Sequence, residues 1–497
     1  MKTFGKVYFI IITACALVQF GMGGSPLLVL ALYLIAATGL VVTLPGGQNL
    51  PSLVYFAYTL YSAGFALPIK TLLLQPVQQN LIAPFDTALV LLAGHVCLTI
   101  AYIIYRTFPA RLALFNAMEK EFSTPSFLRF IAWFGFIVGF ALMVLHTIFR
   151  PKFVNGVSTA EGFGGFGAFY FLLIMAFTAQ CALAVIEKGR GRNLIFAVVM
   201  FAFIFALSLM GNQKKYILDA GLIVALTVLA YNVKVRPQYI VFGVIFIVFT
   251  QFIVSPLIHI ARSESSLKTI SERVDLTVKI LEQNNYDFAK INQINDRVTQ
   301  SLTGTYRSSG SYVYPSTLNL DRFTLVLPVD QVVRVGEGGR TGWSVFVRST
   351  LERILPGAFI EKHAGSLTDE VAWTYGFRQA GVVARPVTGL TATSWAIGGV
   401  AGLIAIGITA PLLLFWVLGI IGGPITRNPW TIAMLVVSSL APEQDSSGIL
   451  GSILRDLPIA LSTIAVLMLL TRGLRYQQPR SAPMIYRPAD TPAPRTR

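Results

Sequence analysis

The chain has 497 residues, of which 54% are hydrophobic and only 12% are charged. Soluble domains carry roughly 25% charged residues, so this composition excludes a single soluble globular domain. In so apolar a chain, a net charge of +16 is typical of membrane proteins whose cytoplasmic loops collect lysine and arginine, and it does not indicate nucleic-acid binding.

Apolar runs long enough to cross a bilayer recur along the chain, since a helix needs about 20 apolar residues to span a hydrocarbon core of about 30 Å. The runs predict an all-α polytopic membrane protein with about twelve transmembrane helices, at residues 7–20, 26–44, 53–69, 86–105, 127–149, 166–186, 194–210, 216–231, 239–260, 391–419, 430–441 and 457–471. The eleventh run is too short to cross unaided, so it is either extended by its neighbours or re-entrant. The first run has features of a cleaved signal peptide, but the second run follows it at once and favours an uncleaved first span.

The positive-inside rule predicts that both termini are cytoplasmic, because this arrangement places most loop lysines and arginines inside. Four regions follow: transmembrane helices 1–9 over 1–260, a periplasmic loop domain over 261–390, transmembrane helices 10–12 over 391–471, and a basic, proline-rich cytoplasmic tail over 472–497. The loop domain has mixed charge, which favours a folded surface. Its apolar spacing predicts a mostly helical cap on the membrane domain, with helices near 267–281, 321–335 and 342–355.

Sequence signals for a metal, a nucleotide or a disulfide framework are missing. The three cysteines lie inside apolar runs and form no CxxC pair. The four histidines have no spacing that would put two on one helix face, and no phosphate-binding GxxxxGK[ST] motif occurs. We therefore expect neither a metal nor a cofactor.

Basic residues on the predicted outer face are the first candidates for chemistry. Lys214 and Lys215 lie in the turn before the eighth span, against the positive-inside trend, and Arg307, Arg322 and Arg385 belong to the loop domain. Ammonium and guanidinium groups both bind phosphate. The alternatives are that the lysines reach towards lipid head groups and that the arginines form surface salt bridges.

Acidic residues and a histidine are the candidates for a general base. Glu361, His363, Asp369 and Glu370 lie on the same predicted side as the arginines, and a carboxylate or a neutral imidazole can accept a proton from a sugar hydroxyl. The alternative is that they are solvated loop residues. Within the membrane, Asp219 lies one helical turn after Lys215, so it either pairs with that lysine or positions it beneath a substrate.

Four features together resemble the O-antigen polymerase (Wzy-type oligosaccharide repeat-unit polymerase) family of bacterial inner membranes. They are the many spans with one large late outer loop, Gly211-Asn-Gln-Lys-Lys before the eighth span, Asp321-Arg-Phe before an apolar stretch, and Thr388-Gly-Leu-Thr-Ala-Thr-Ser-Trp-Ala-Ile-Gly-Gly399 at the return to the membrane. The resemblance covers roughly 200–430. The family's return segment often has an acid where this chain has Thr393 and Ser394, so the role of that acid is not carried over.

The resemblance implies a metal-independent membrane glycosyltransferase, without cofactor, that makes O-antigen or exopolysaccharide at the periplasmic face. It would transfer the growing glycan from undecaprenyl diphosphate to the next lipid-linked repeat unit. The implied partners are this lipid-linked oligosaccharide, membrane lipid, and chain-length-regulator and flippase proteins. The diphosphate ligands would be Lys214, Lys215, Arg307, Arg322 and Arg385, and the catalytic set would be Arg322, Lys215, Arg385, Glu361 and His363.

Three other functions remain open. An O-antigen ligase has a similar architecture but usually carries a histidine motif where the outer loop returns to the membrane, and none follows His363 here. A transporter or flippase usually shows inverted repeats with interrupted spans, and no repeat is visible. The third is a structural partner in a polysaccharide-assembly complex.

Overall fold

The computed structural model describes residues 2–476 apart from a set of gaps. These are 45–48, 110–113, 150–152, 155–156, 159–163, 188–190, 212, 214, 255–269, 289, 292, 295–310, 315–319, 337, 358, 364, 382, 384 and 427. The described chain is mostly helical, and the strands within it are the two-residue pair Phe153–Val154 and Val157–Ser158, which run antiparallel.

Helices fill the first half of the chain. They are α1 (Lys2–Gly21), α2 (Pro26–Thr43), α3 (Leu50–Thr59), α4 (Ala66–Leu72), α5 (Pro84–Thr107), α6 (Leu114–Phe122), α7 (Pro125–Phe130), α8 (Phe136–Phe149), α9 (Tyr170–Ile186), α10 (Gly191–Gly211), α11 (Lys215–Ala230) and α12 (Pro237–Phe249). One-turn π-helices join α3 to α4 (Leu60–Gly64), join α7 to α8 (Ile131–Gly135) and extend α12 (Thr250–Val254), and a 3₁₀-helix (Gly164–Phe169) precedes α9.

The second half contains the loop domain and the last membrane helices. Its helices are α13 (Ile270–Gln283), α14 (Val326–Val333), α15 (Trp343–Ile354), α16 (Leu367–Thr374), α17 (Gly389–Ile421), α18 (Pro429–Ser438), α19 (Ser446–Gly451) and α20 (Leu457–Tyr476). Two 3₁₀-turns, Leu320–Phe323 and Ala441–Glu443, precede α14 and α19, and the π-helix Ser452–Asp456 joins α19 to α20. The helix predicted over 342–355 is present as α15. The stretch predicted over 321–335 is a turn followed by α14, which tolerates Pro328 because it lies in the first turn of the helix.

Eight helices in the described residues are long and apolar enough to cross a membrane, so the chain is a multi-pass all-α membrane protein. They are Pro26–Thr43, Leu50–Leu72, Pro84–Thr107, Pro125–Phe149, Gly165–Ile186, Gly191–Met210, Gly389–Ile421 and Ser446–Arg472. Helices α1, α11, α12 and α18 stand at the other four predicted spans. Helices α11, α12 and α18 are shorter than the eight, and in α1 the apolar stretch is limited to Gly5–Gly21, so twelve spans are not confirmed. Helix α18 has ten residues and is almost wholly buried, and at about 15 Å it is too short to cross.

The tenth predicted span, α17, is broken near its start. Gly398 has φ −147° and Gly399 has φ 57° with ψ −134°, and the second conformation is essentially restricted to glycine. A side chain at Gly402 would overlap the carbonyl oxygen of Ser394, although residues eight apart are separated by about 12 Å along a straight helix. The chain therefore folds back at these two glycines.

The break in α17 is filled by a loop of the loop domain. The N–H groups of Gly339 and Thr341 donate to the carbonyl oxygens of Trp395 and Ala396, each over 3.0 Å. Because a broken helix leaves carbonyl groups without intrahelical donors, these bonds replace the missing ones.

Other buried polar contacts fix the loop domain to the membrane helices. The carboxylate of Asp330 is fully buried and accepts from the Ala83 N–H over 2.8 Å and from the Thr87 hydroxyl over 3.1 Å, at the start of α5. The fully buried Lys70 ammonium donates to the Gln79 carbonyl over 3.0 Å and lies 4.2 Å from the ring centre of Tyr312. Segments far apart in the sequence are thus held as one packed unit.

Candidate functional site

Two of the predicted basic residues, Lys215 and Arg322, meet around two carboxylates. The Nε of Arg322 donates to Glu443 over 2.8 Å, and the ammonium of Lys215 lies 4.0 Å from the carboxylate of Asp219. Both cations act electrostatically on both acids. We call this group the Arg322–Glu443 cluster, and its members are Tyr61, Tyr170, Lys215, Asp219, Arg322 and Glu443.

Arg322 is held by the residues on either side of it. The carboxylate of Asp321 accepts from the N–H of Val313 over 2.8 Å and from the hydroxyl of Ser311. Burial raises the pKa of Asp321, while these hydrogen bonds favour its charged form. On the other side, the ring of Phe323 packs against Phe65, with centroids 5.9 Å apart. The 3₁₀-turn is therefore anchored at both ends, and the Arg322 side chain remains half exposed.

The cluster lies beside the middle of a candidate membrane span. Tyr61 is halfway along Leu50–Leu72 and sits in the π-helix Leu60–Gly64. Its carbonyl accepts from the N–H of Leu325 over 2.9 Å, and its hydroxyl lies close enough to Glu443 to favour the charged form of that acid. Non-helical backbone and charged groups are stable at such a position only when they are buried in protein or line a water-filled cavity, and charged groups there often mark functional sites.

Glu443 is the acid with the environment of a general base. It ends the short turn Ala441–Glu443 after α18, and only 7% of its side chain is exposed. Burial raises its pKa, and the cations of Arg322 and Lys215 oppose that rise. A carboxylate with a raised pKa beside a half-exposed guanidinium can accept a proton from a hydroxyl near neutral pH.

Lys215 is positioned by its own helix and by α9. The carboxylate of Asp219, one turn later in α11, accepts from the hydroxyl of Tyr170 over 2.8 Å. The Lys215 ammonium lies 5.1 Å from the ring centre of the same tyrosine. Of the two roles predicted for Asp219, the structure shows the pairing with Lys215, and the tyrosine contacts both partners.

Arg385 belongs to a second group, which we call the Arg353–Asp445 cluster and whose members are Arg353, Asp369, Arg385 and Asp445. Arg385 has φ 46°, and its backbone N–H donates to the carboxylate of Asp369 over 2.6 Å. Burial lowers the pKa of the Arg385 guanidinium, while Asp369 and Asp445 favour its charged form. Arg353 donates to Asp445 over 2.9 Å. Because Asp445 follows Glu443 by two residues, one turn of the chain contacts both clusters.

The general bases predicted in the loop domain do not join the Arg322–Glu443 cluster. His363 pairs with Glu352 over 2.6 Å, and Arg348 donates to Glu370 over 2.9 Å. Glu361 is exposed on the surface. Two predicted diphosphate ligands, Lys214 and Arg307, lie outside the described residues.

Sequence reasoning missed Glu443 and Tyr61. One signal was available for the acid, since it closely follows the apolar run that is too short to span, and a run that ends inside the bilayer places the turn after it within the membrane domain. Nothing in the pattern around Tyr61 indicates a π-helix.

The described part of the chain contains no group of three histidine, cysteine, aspartate or glutamate side chains arranged to hold a metal ion. The expectation of a metal-independent site stays a prediction. Comparison of the chain with family models, curated proteins and solved structures found no match. The function is therefore argued from the residues of the site.

Proposed function

We propose that the protein is a polysaccharide repeat-unit polymerase, a membrane glycosyltransferase that transfers a growing glycan from undecaprenyl diphosphate to the next lipid-linked repeat unit. One observation carries the proposal. The Arg322–Glu443 pair and the Lys215–Asp219 pair bring three distant parts of the chain within electrostatic range of one another, beside the middle of a candidate span. Two cations and a buried carboxylate are the groups that this transfer requires.

The cations have the chemistry to hold the diphosphate. The half-exposed guanidinium of Arg322 can bind phosphate oxygens with two parallel N–H groups, and Lys215 adds a compact charge. As the bond between the sugar and the diphosphate breaks, negative charge accumulates on the departing phosphate. Fixed cations at that position stabilise the transition state more than the ground state.

Glu443 supplies the base. The hydroxyl of the acceptor sugar attacks the anomeric carbon of the donor and forms the new glycosidic bond, and its proton passes to the Glu443 carboxylate. The bond from the anomeric carbon to the diphosphate breaks, and undecaprenyl diphosphate leaves with the electron pair. Transfer of the proton in the transition state contributes typically 10²–10⁴-fold in rate.

The proposal includes a membrane and an orientation. The excess of loop lysines and arginines supports the bacterial inner membrane with both termini cytoplasmic and the loop domain periplasmic. Helices α1, α11 and α12 then complete the predicted spans, and α18 crosses together with the turn that carries Glu443 and the start of α19, which gives the even number of spans that two cytoplasmic termini require. The cluster would face the side on which lipid-linked repeat units arrive.

The proposal is tested by deleting the gene and separating the cell's polysaccharide on a gel. Complementation uses the wild type, Arg322→Ala, Lys215→Ala, Glu443→Gln and a matched control, Arg472→Ala. Arg472 forms a similar pair with Glu121 over 2.9 Å elsewhere in the protein. We expect the wild type and the control to restore the ladder of long chains, and the three cluster variants to leave single repeat units at equal protein abundance.

Other outcomes of the same gel would contradict the proposal. If no repeat unit reaches the far side of the membrane in the deletion strain, the protein acts earlier, as a flippase. If long chains form but stay on their lipid carrier, it acts as a ligase.

A transporter of lipid-linked sugar is the second candidate, and the broken helix α17 favours it. Transporters often build their sites from interrupted membrane helices, and Gly398 and Gly399 interrupt this one. The half that precedes the break is, however, bonded to the loop domain through Gly339 and Thr341. That contact favours a fixed site over a moving one.

A further inference from the structure

Helix α15 in the loop domain has an exposed apolar edge. Trp343, Val347 and Leu351 recur every four residues, and they are 43%, 51% and 43% exposed. The opposite side of the helix carries Ser349 and Glu352, which are buried. Val345 and Phe346 also pack against the protein core. Helix α15 therefore has apolar side chains on its inner side and a second, exposed apolar edge on its outer side, which is not expected of a helix on a water-soluble domain.

Both ends of α15 rest on candidate membrane spans. At its start, the Trp343 ring packs directly on Gly398 of α17, so closely that a methyl group at this glycine would lie only 2.9 Å from the ring. At its end, Arg353 packs on Gly451 of α19, and its carbonyl accepts from the Arg455 guanidinium over 2.7 Å. Helix α15 thus bridges two spans, Gly389–Ile421 and Ser446–Arg472.

The exposed edge continues onto the surfaces of those spans. Next to the contact between Trp343 and Gly398, the side chains of Val400 and Ile404 on α17 are exposed. Next to the contact between Arg353 and Arg455, Leu454 is exposed as well. Exposed apolar side chains on a membrane-spanning helix face lipid, so the edge of α15 is continuous with a lipid-facing surface.

We propose that α15 lies in the surface of the bilayer and immerses Trp343, Val347 and Leu351 among phospholipid acyl chains. Amphipathic helices bind membranes in this way, with the apolar face below the head groups, and tryptophan is enriched at that level. The fold-back of α17 fixes the start of α15 through the Gly339 and Thr341 hydrogen bonds. The proposal concerns a binding surface for lipid and does not depend on the proposed enzyme activity.

Spin labels test the environment of the edge. Val347→Cys and Leu351→Cys are made in the full chain with Cys15, Cys97 and Cys181 replaced by alanine. The labelled protein is reconstituted into nanodiscs of phosphatidylethanolamine and phosphatidylglycerol. Ile404→Cys is the lipid-facing control, and Gln379→Cys, on an exposed loop, is the water-facing control.

We expect labels at 347 and 351 to collide readily with molecular oxygen and several-fold less often with a water-soluble nickel chelate than the label at 379. Access to the nickel chelate equal to that at 379 would mean that the edge faces water and would overturn the proposal. An immobilised label that neither reagent reaches would mean that another protein surface, such as a second copy, covers the edge, and would overturn it too.

A second measurement avoids replacing the cysteines. Tryptophan emission of the wild type and of Trp343→Phe is compared in vesicles of ordinary and of brominated phosphatidylcholine. We expect the quenched part of the emission to be smaller in the variant, because Trp343 is one of six tryptophans and lies within reach of the bromines. An unchanged quenched part would overturn the proposal.

Discussion

The guanidinium of Arg322 donates a hydrogen bond over 2.8 Å to the carboxylate of Glu443, a residue 121 positions later in the chain. The bond joins the loop domain to the turn between α18 and α19, so it is both a tertiary contact and the centre of the proposed site. Variants of either residue can change folding as well as activity. Each prediction below is therefore paired with a variant that separates the two effects.

Replacement of Arg322 by alanine should lower the rate of glycan transfer by about 10²–10³-fold, the usual effect of removing one group that stabilises transition-state charge. Arg322→Lys keeps the charge but loses the two parallel N–H donors, so its rate should lie between those of alanine and wild type. The rate is measured with purified protein and a lipid-linked repeat unit. Arg472→Ala should keep the wild-type rate, and an equal loss in that control would show that the effect is not specific to the cluster.

The pH dependence of transfer should report on Glu443. Burial raises its pKa, and only the ionised carboxylate can accept a proton, so activity should fall as the pH is lowered through that raised pKa. Lys215 lowers the same pKa by its charge, so Lys215→Gln should move the acidic limb of the profile to higher pH. In Glu443→Gln the residual activity should lose this limb. A limb that stays in the glutamine variant would assign the base to another residue.

The membrane class and most helices could be predicted from the sequence, because hydrophobic run length is a local property. The runs at 26–44, 86–105 and 194–210 correspond closely to α2, α5 and α10. The fold-back of α17 could not be predicted in this way, since neither a charged residue nor a proline lies at the break, and glycine is common in unbroken membrane helices as well. Its cause is the non-local insertion of the loop around Gly339.

The candidate site was predicted in part. Lys215 can be predicted because a lysine on the outer face breaks the positive-inside trend. Arg322 can be predicted because the sequence Asp321-Arg-Phe resembles a family motif. Arg385, predicted as an outer-face phosphate ligand, and His363, predicted as a general base, lie in other contacts. Charge type and spacing show which residues can bind phosphate, but three-dimensional contacts decide which of them meet, and these depend on how segments far apart in the chain pack.

Asp330 should be among the residues on which the stability of the loop domain depends. It is fully buried and accepts from the Ala83 N–H and the Thr87 hydroxyl. Asp330→Ala leaves the buried Thr87 hydroxyl and the partly buried Ala83 N–H without that acceptor and should reduce the free energy of unfolding by about 1–3 kcal/mol. Thermal unfolding in detergent measures the change. Glu282→Ala, on the exposed side of α13, should change stability by less than about 0.5 kcal/mol.

Two glycines of α17 should respond in opposite ways to the same substitution. Gly399 has φ 57° and ψ −134°, so Gly399→Ala should cost about 1–3 kcal/mol of strain, although the space beside it is open enough for a methyl group. A methyl group at Gly407 would lie 3.5 Å from Cys97, an ordinary contact. Gly407→Ala should therefore keep or raise stability by up to about 1 kcal/mol, because alanine favours the helix. Unfolding midpoints in detergent compare the two. Equal midpoints would mean that the chain does not fold back at Gly399. The spin label at Val347→Cys, read in the Gly399→Ala variant, would then report whether the start of α15 has lost its contact with the fold-back.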